Sequence, residues 1–300
     1  MMKFVRNLFI FIAAVVFIDF ICGYAFDYLS SHAKGSDTRE NHYIANECEA
    51  EVLIFGSSRA QHHYDPSIMS DTLGMSVYNC GLDGCGAILS FGRFLLLTER
   101  YNPKIVVLDI FSNYDINVGD NTKYITSLRR YKQHDCLYRV FELVSPFEKY
   151  KNLSNMYCYN GQIVKLFVDY LKDDNSIKRG YIPMTGKIKE NNIVVEPDEN
   201  TIWDDSKRAA VVEIVRKCKE KNIKLIFTMS PYYTGYNDSS YKMFARFSDK
   251  EGIPFLYHFA DSAYIRKPEY FADRSHLNDK GAEIYTSMIA HEIKEIYSKR

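Results

Sequence analysis

Short apolar runs separated by helical patterns constrain this chain more than any other feature. The runs lie at Val52–Phe55, Ser76–Asn79, Ile105–Phe111, Lys224–Met229 and Pro254–His258, mostly bounded by Gly, Pro, Asn or Asp. Each is short enough for a buried strand. Between them, at Ala87–Glu99, Asp205–Lys221 and Lys280–Ser298 among others, apolar residues recur at three and four, the spacing of one helical face. Strands alternating with helices imply an α/β fold whose parallel sheet is covered on both faces. With 300 residues, 46% of them apolar, the chain can bury a full core and carry a sizeable insertion.

Ahead of that domain, Leu8 to Phe26 is almost uninterruptedly apolar and follows Lys3 and Arg6. The stretch is just long enough to cross a bilayer as one transmembrane helix. Asp19 opposes insertion by roughly 2.5–3.5 kcal/mol, and about twelve Leu, Ile, Val and Phe residues at roughly −0.3 to −0.6 kcal/mol each outweigh it. The basic N-terminus favours a cytoplasmic start and an extracytoplasmic domain on the periplasmic or cell-surface side, with Lys34 and Arg39 reducing the charge asymmetry. Gly23 and Ala25 have the small-x-small spacing of a signal cleavage site, but the apolar core exceeds the usual signal region of about 7–15 residues, which favours an uncleaved anchor.

The expected organisation is an anchor over 1–29, a polar tether or first surface segment over 30–50 and a domain over 51–300. An insertion at about 114–200 breaks the alternation. It carries Tyr124, Arg129, Arg130 and Tyr131 and the loop-like stretch 180–187, and is expected to form part of a substrate cleft. A formal net charge of zero argues against a nucleic-acid partner. The seven cysteines follow no disulfide framework and offer no CxxC pair or Cys/His cluster, so neither a metal nor another cofactor is expected.

The first strand runs directly into Gly56-Ser57-Ser58-Arg59, and Asp273-Arg-Ser-His276 precedes the last helical pattern. A tight Gly-Ser turn can present a hydroxyl at the carboxyl edge of a parallel sheet, where open α/β folds place their chemistry. Asp and His three residues apart can supply a base and the carboxylate that orients it. Read this way, Ser58 is a nucleophile and His276 its general base. Read structurally, Ser58 is a helix N-cap and His276 packs or caps the final helix. Arg59 binds an acidic substrate group or a structural carboxylate, Tyr181 belongs to the candidate sugar-binding insertion, and His62 and His63 read as paired surface histidines.

In these motifs the chain resembles the SGNH, or GDSL-type, hydrolase and acyltransferase superfamily. Gly56-Ser57-Ser58 fits its first block and Asp273 with His276 its last. Asn79-Cys-Gly-Leu-Asp-Gly84 looks like the second block, with Gly84 the better match to the oxyanion glycine and Gly81 the fallback; Asp109-Ile-Phe-Ser-Asn113 resembles the third. The resemblance implies a three-layer α/β/α sandwich with a flavodoxin-like parallel sheet, a Ser58–His276–Asp273 triad, and an oxyanion hole of Ser58, Gly84 and Asn113. Structurally, Gly84 only permits a positive φ and Asn113 is a turn residue. Ser57 stands where the family often has Asp, and Phe111-Ser112 replaces the usual glycines. These departures resemble a membrane-anchored branch that includes alginate-type O-acetyltransferases and D-alanyl transfer proteins. They imply serine-dependent acyl transfer on an acylated small molecule or cell-envelope carbohydrate, with envelope-biosynthesis proteins as partners. The alternative is a catalytically silent domain that binds glycan or organises an envelope complex.

Overall fold

The computed structural model describes residues 1–173, 177–189, 202–234 and 239–298. In chain order its helices and strands are α1 (Met2–Ser31), α2 (Ser36–Asn46), β1 (Val52–Phe55), α3 (Ser58–His63), α4 (Pro66–Leu73), β2 (Val77–Asn79), α5 (Ala87–Arg100), β3 (Ile105–Asp109), α6 (Ser112–Asp115), α7 (Tyr138–Val144), α8 (Glu148–Lys151), α9 (Ile163–Leu171), α10 (Asp205–Glu220), β4 (Lys224–Met229), α11 (Ser239–Glu251), β5 (Phe255–Tyr257) and α12 (Asp279–Ser298). Short 3₁₀ segments, among them Thr122–Tyr131 and Met156–Tyr159, fill much of the insertion.

The five strands form one parallel sheet in the order β2-β1-β3-β4-β5. Alternate strand residues feed two separate cores, because successive side chains point to opposite faces. Leu53, Phe55, Val106, Leu108, Leu225 and Phe227 pack with α5 and α10. Val52, Ile54, Ile105, Val107 and Ile226 pack with α12, Tyr64 and Met69 of α4. The result is a three-layer α/β/α domain preceded by one helix, α1, long and apolar enough to cross a membrane. Strand order reverses between β1 and β3, and the crevice beyond their carboxyl ends is the favoured ligand position in such sheets.

Two expectations need correction. The proposed tether over 30–50 is structured: α1 continues to Ser31, and α2 packs on α5 with Ile44 and Ala45 buried. Arg93 donates to Asn41, and Arg100 to the carbonyls of Ile44 and Cys48. Polar composition concealed this helix because its few buried residues suffice once α5 supplies a partner.

The insertion also divides in two. Its earlier part packs beside α1 and α5: Arg129 is buried against Glu148, and Arg130 donates to Ser30 and Thr38. Its later described part, residues 177–189, is bonded to the serine-bearing side of the sheet through Gln61, Phe271 and Asp279. Among the described residues, the aromatic and basic patch makes no hydrogen bond to Ser58, His276 or Asp273. Residues 174–176 and 190–200 of the insertion lie outside the described residues.

Candidate active site

Gly56 creates the turn that delivers Ser58. Its φ is +147°, and an added Cβ would lie 2.7 Å from the Asp109 carbonyl oxygen and 2.8 Å from Ala60 Cβ. Only glycine lets β1 turn this tightly against β3 and start α3 at once. Ser57 occupies the N-cap position without a side-chain cap bond, and its buried hydroxyl has no partner among the described residues. Ser58 is the first residue of α3, so its N–H has no acceptor within that helix.

The Ser58 Oγ lies 2.7 Å from His276 Nε2, across 218 residues of sequence. His276 Nδ1 is 2.8 Å from Asp273 Oδ2 and 3.0 Å from Oδ1. The three-residue spacing has a local cause: Asp273 Oδ1 also accepts the N–H groups of Ser275, at 2.8 Å, and His276, at 2.9 Å, closing a side-chain turn. Burial pushes the Asp273 pKa up, but the His276 hydrogen bond and charge and these two amides outweigh it and hold the pKa at about 2. A carboxylate only accepts. His276 Nδ1 must therefore donate to it, leaving the Nε2 lone pair on the serine hydroxyl.

Two histidines read as surface residues are instead buried around this site. His63 Nε2 accepts the Leu277 N–H at 2.9 Å, so its Nδ1 donates to Ser230 Oγ at 2.8 Å. Complete burial, then the Arg59 charge, push its pKa well below 6.5. Neutral His63 thus fixes the backbone next to His276. The ring of His62 stands edge-on to that of His276, with centroids 5.5 Å apart. Its Nδ1 faces the Ile182 carbonyl at 2.7 Å, and its Nε2 faces Asp83 Oδ1 at 3.0 Å. Both partners only accept, which favours the doubly protonated ring. Burial lowers the His62 pKa, but Asp83 and the Ile182 carbonyl raise it above its ordinary value. Together with Gln61, which accepts the Asp83 N–H at 3.0 Å and the Ile182 N–H at 3.2 Å, His62 clamps two loops to the helix that carries Ser58. Adjacent histidines at the end of a short helix were the only sequence signal for this arrangement.

The candidate oxyanion donors differ in availability. The Gly81 N–H is occupied by Asn79 Oδ1 at 2.9 Å, which removes the fallback. Gly84 has φ +68° and open space where a Cβ would stand, and its N–H has no acceptor among the described residues. Asn113 is exposed at the start of α6, with Oδ1 accepting from Asn117 Nδ2 at 3.4 Å. It has no contact with the Ser58–His276–Asp273 group among the described bonds. Asp115 ties this segment down, accepting the N–H groups of Phe111 at 2.7 Å and Ala87 at 2.6 Å. Burial raises its pKa to about 7, against the lowering effect of those bonds.

The two residues assigned to substrate binding are packing residues. Arg59 is fully buried. Its guanidinium donates to Ser230 and Pro231 and lies 4.9 Å from the Phe111 ring centroid. It follows Ser58 on a helix turn, and that geometry directs it beneath the sheet edge. Tyr181 is buried in the α12 core, its hydroxyl 3.2 Å from Asp279 Oδ1. Gly180, at φ +83° and pressed against the Asn79 carbonyl, turns it inward. All seven cysteines are free thiols.

No family model matches the chain, and no curated protein matches it. Among solved structures it is similar to a protein described as lipolytic and of the G-D-S-L family from Desulfitobacterium hafniense DCB-2. That likeness has 12% identity and a TM-score of 0.40 over 80% of this chain and 98% of that one. An acetyl xylan esterase is similar at 12% identity and a TM-score of 0.41, over 82% of this chain and 98% of that one. A family two carbohydrate esterase from Clostridium thermocellum, solved with cellohexaose, matches at 11% identity and a TM-score of 0.37, over 82% of this chain and 64% of that one. Identities and scores this low carry no activity across, so the chemistry rests on the site's own geometry.

Proposed function

We propose that this chain is a membrane-anchored, extracytoplasmic enzyme that transfers acyl groups through an acyl-Ser58 intermediate, as an esterase or O-acyltransferase on cell-envelope carbohydrate. The observation that carries this reading is the continuous hydrogen-bonded line from Ser58 Oγ through His276 to Asp273. Neutral His276 takes the serine proton at Nε2 as Oγ attacks the ester carbonyl, and Asp273 stabilises the imidazolium so formed. The imidazolium then protonates the departing alkoxide. In the second half, His276 deprotonates water or a carbohydrate hydroxyl, which attacks the acyl-serine and restores the hydroxyl.

The Ser58 and Gly84 amides and the Asn113 side-chain N–H are the proposed oxyanion donors. Loss of one such donor typically costs roughly 2.7–4 kcal/mol of barrier. The carbohydrate acceptor is supported by the motif resemblance, and the outward-facing domain by Lys3 and Arg6 ahead of the apolar stretch Leu8–Phe26.

The test is labelling of the full chain by a fluorophosphonate, followed by incubation with an acyl donor, with and without envelope oligosaccharides, and product masses. Labelling that disappears in Ser58→Ala, with acyl groups moved onto or off the oligosaccharide, is expected. A wild-type protein that never reacts with the probe or any ester overturns the enzymatic reading.

A further inference from the structure

Asp19 is the one acidic residue in the apolar stretch Leu8–Phe26, and it is not bare. Its carboxylate accepts the Ser154 hydroxyl at 2.5 Å and the N–H groups of Asn155 and Met156 at 2.8 and 3.1 Å. Gly23, one turn on, lies so close to Asn155 that an added Cβ would be 2.3 Å from its Cβ. From there the chain climbs along α1. Tyr159 donates to Asp27, Ile163 and Leu166 pack with Phe26 and Leu29, and the Lys34 N–H donates to the Asp169 carbonyl.

At about 1.5 Å per residue, Asp19 lies roughly 10 Å short of Phe26, the outer end of the apolar stretch. The segment bonded to Asp19 is therefore at bilayer depth, or touches the bilayer surface if the span ends just before it.

That segment is apolar on its outward side. α9 exposes Val164, Phe167, Val168 and Leu171, with Leu153 exposed on the preceding turn. The spacing i, i+3, i+4, i+7 is an apolar stripe, yet it points away from the protein. Of the two charged residues of α9, Asp169 is buried and accepts Thr38 Oγ1 at 2.5 Å, and Lys165, though exposed, lies off the stripe and is drawn to Asp169 and the Ser36 hydroxyl. A helix facing water would have the reverse arrangement. A cavity of about 790 Å³, lined by Tyr24, Asp27, Tyr28 and Arg130, lies at the same level of α1. Tyrosines and basic groups of this kind belong at the headgroup layer.

We propose that residues 153–171 form an apolar collar on α1 that sits in the outer leaflet and holds the catalytic domain directly on the membrane surface. The bilayer is the occupant of the α9 stripe. The inference rests on the membrane-anchored reading and is independent of the catalytic one. A domain seated in this way has a fixed height and orientation, so it meets substrates at the membrane surface rather than throughout a tether's reach.

The test uses the full chain in liposomes containing phospholipids with nitroxides at shallow or deep acyl positions. The chain has one tryptophan, Trp203, which is buried, so added tryptophans are read against the parent. Phe167→Trp and Val164→Trp change exposed side chains. Phe11→Trp reports the span, and Ile284→Trp reports α12 on the opposite face of the sheet. Quenching several-fold above the parent is expected for Phe11→Trp with either label and for Phe167→Trp and Val164→Trp with shallow labels, with none added for Ile284→Trp. If Phe11→Trp is quenched but both α9 variants match Ile284→Trp, the stripe is covered by protein, such as a second copy, and the collar is refuted while the anchor stands. If Phe11→Trp is also unquenched, the anchor reading falls and the collar falls with it.

Discussion

Replacing Asp83 with asparagine removes one charge from the clamp beside His276 while keeping an oxygen that can accept the His62 N–H. At 3.0 Å, two unit charges attract by roughly 5.5 kcal/mol at an effective dielectric of about 20. The Asp83 side chain is 62% exposed, so solvent screening reduces the useful part to about 1 kcal/mol. Loss of the Asp83 charge should lower the His62 pKa toward its ordinary value. His62 is raised in the folded protein. Its contribution is therefore fully present below the unfolded value of about 6.5 and is lost as pH rises through the folded value. Urea unfolding should show Asp83→Asn weaker than the parent by about 1 kcal/mol near pH 6, with the two converging above the folded His62 value. Imidazole resonances followed by NMR give the pKa directly. An equal loss at acid and alkaline pH would mean that Asp83 acts as a neutral hydrogen-bond partner, and the doubly protonated clamp would be wrong.

Asp273→Asn should lower kcat by about 10⁴-fold, because an amide that donates to His276 turns the ring to the wrong tautomer. Since Asp273 is held at about 2, its contribution to stability is present above about 3.8 and is lost only as pH falls through about 2, which unfolding followed against pH checks. Gly56→Ala should cost about 2–6 kcal/mol, combining backbone strain with overpacking against Asp109 and Ala60. Gly84→Ala, with nothing within 4 Å of its Cβ position, should cost only about 1–2 kcal/mol, and equal urea midpoints for the two would refute the close approach at Gly56. Tyr181→Ala should destabilise the protein by about 3–5 kcal/mol, as cavities from large aromatic residues do. It should lower transfer and hydrolysis together, and a selective loss of transfer at unchanged stability would restore Tyr181 to the substrate site.

Much of the fold was legible in the sequence because its causes are local. The strands β1 and β4 have the boundaries that their apolar runs marked, and the helical spacing of Ala87–Glu99 and Asp205–Lys221 identified α5 and α10. Gly56 before two serines, and Asp273 three residues before His276, are likewise local patterns, and motif order alone nominated the residues that meet at 2.7 and 2.8 Å. Other properties depend on what lies across the fold. Arg59 looked like a ligand-binding arginine until Ser230, 171 residues away, supplied its acceptors. His62 and His63 became a clamp and a backbone prop only when Asp83, Ile182 and Leu277 came to face them. Asp19 looked like a flaw in the anchor because its three donors come from Ser154, Asn155 and Met156. Local spacing determines which face of an element is apolar, whereas the partner of a polar group is set by tertiary packing, because hydrogen bonds and desolvation act between atoms adjacent in space, whatever their separation along the chain.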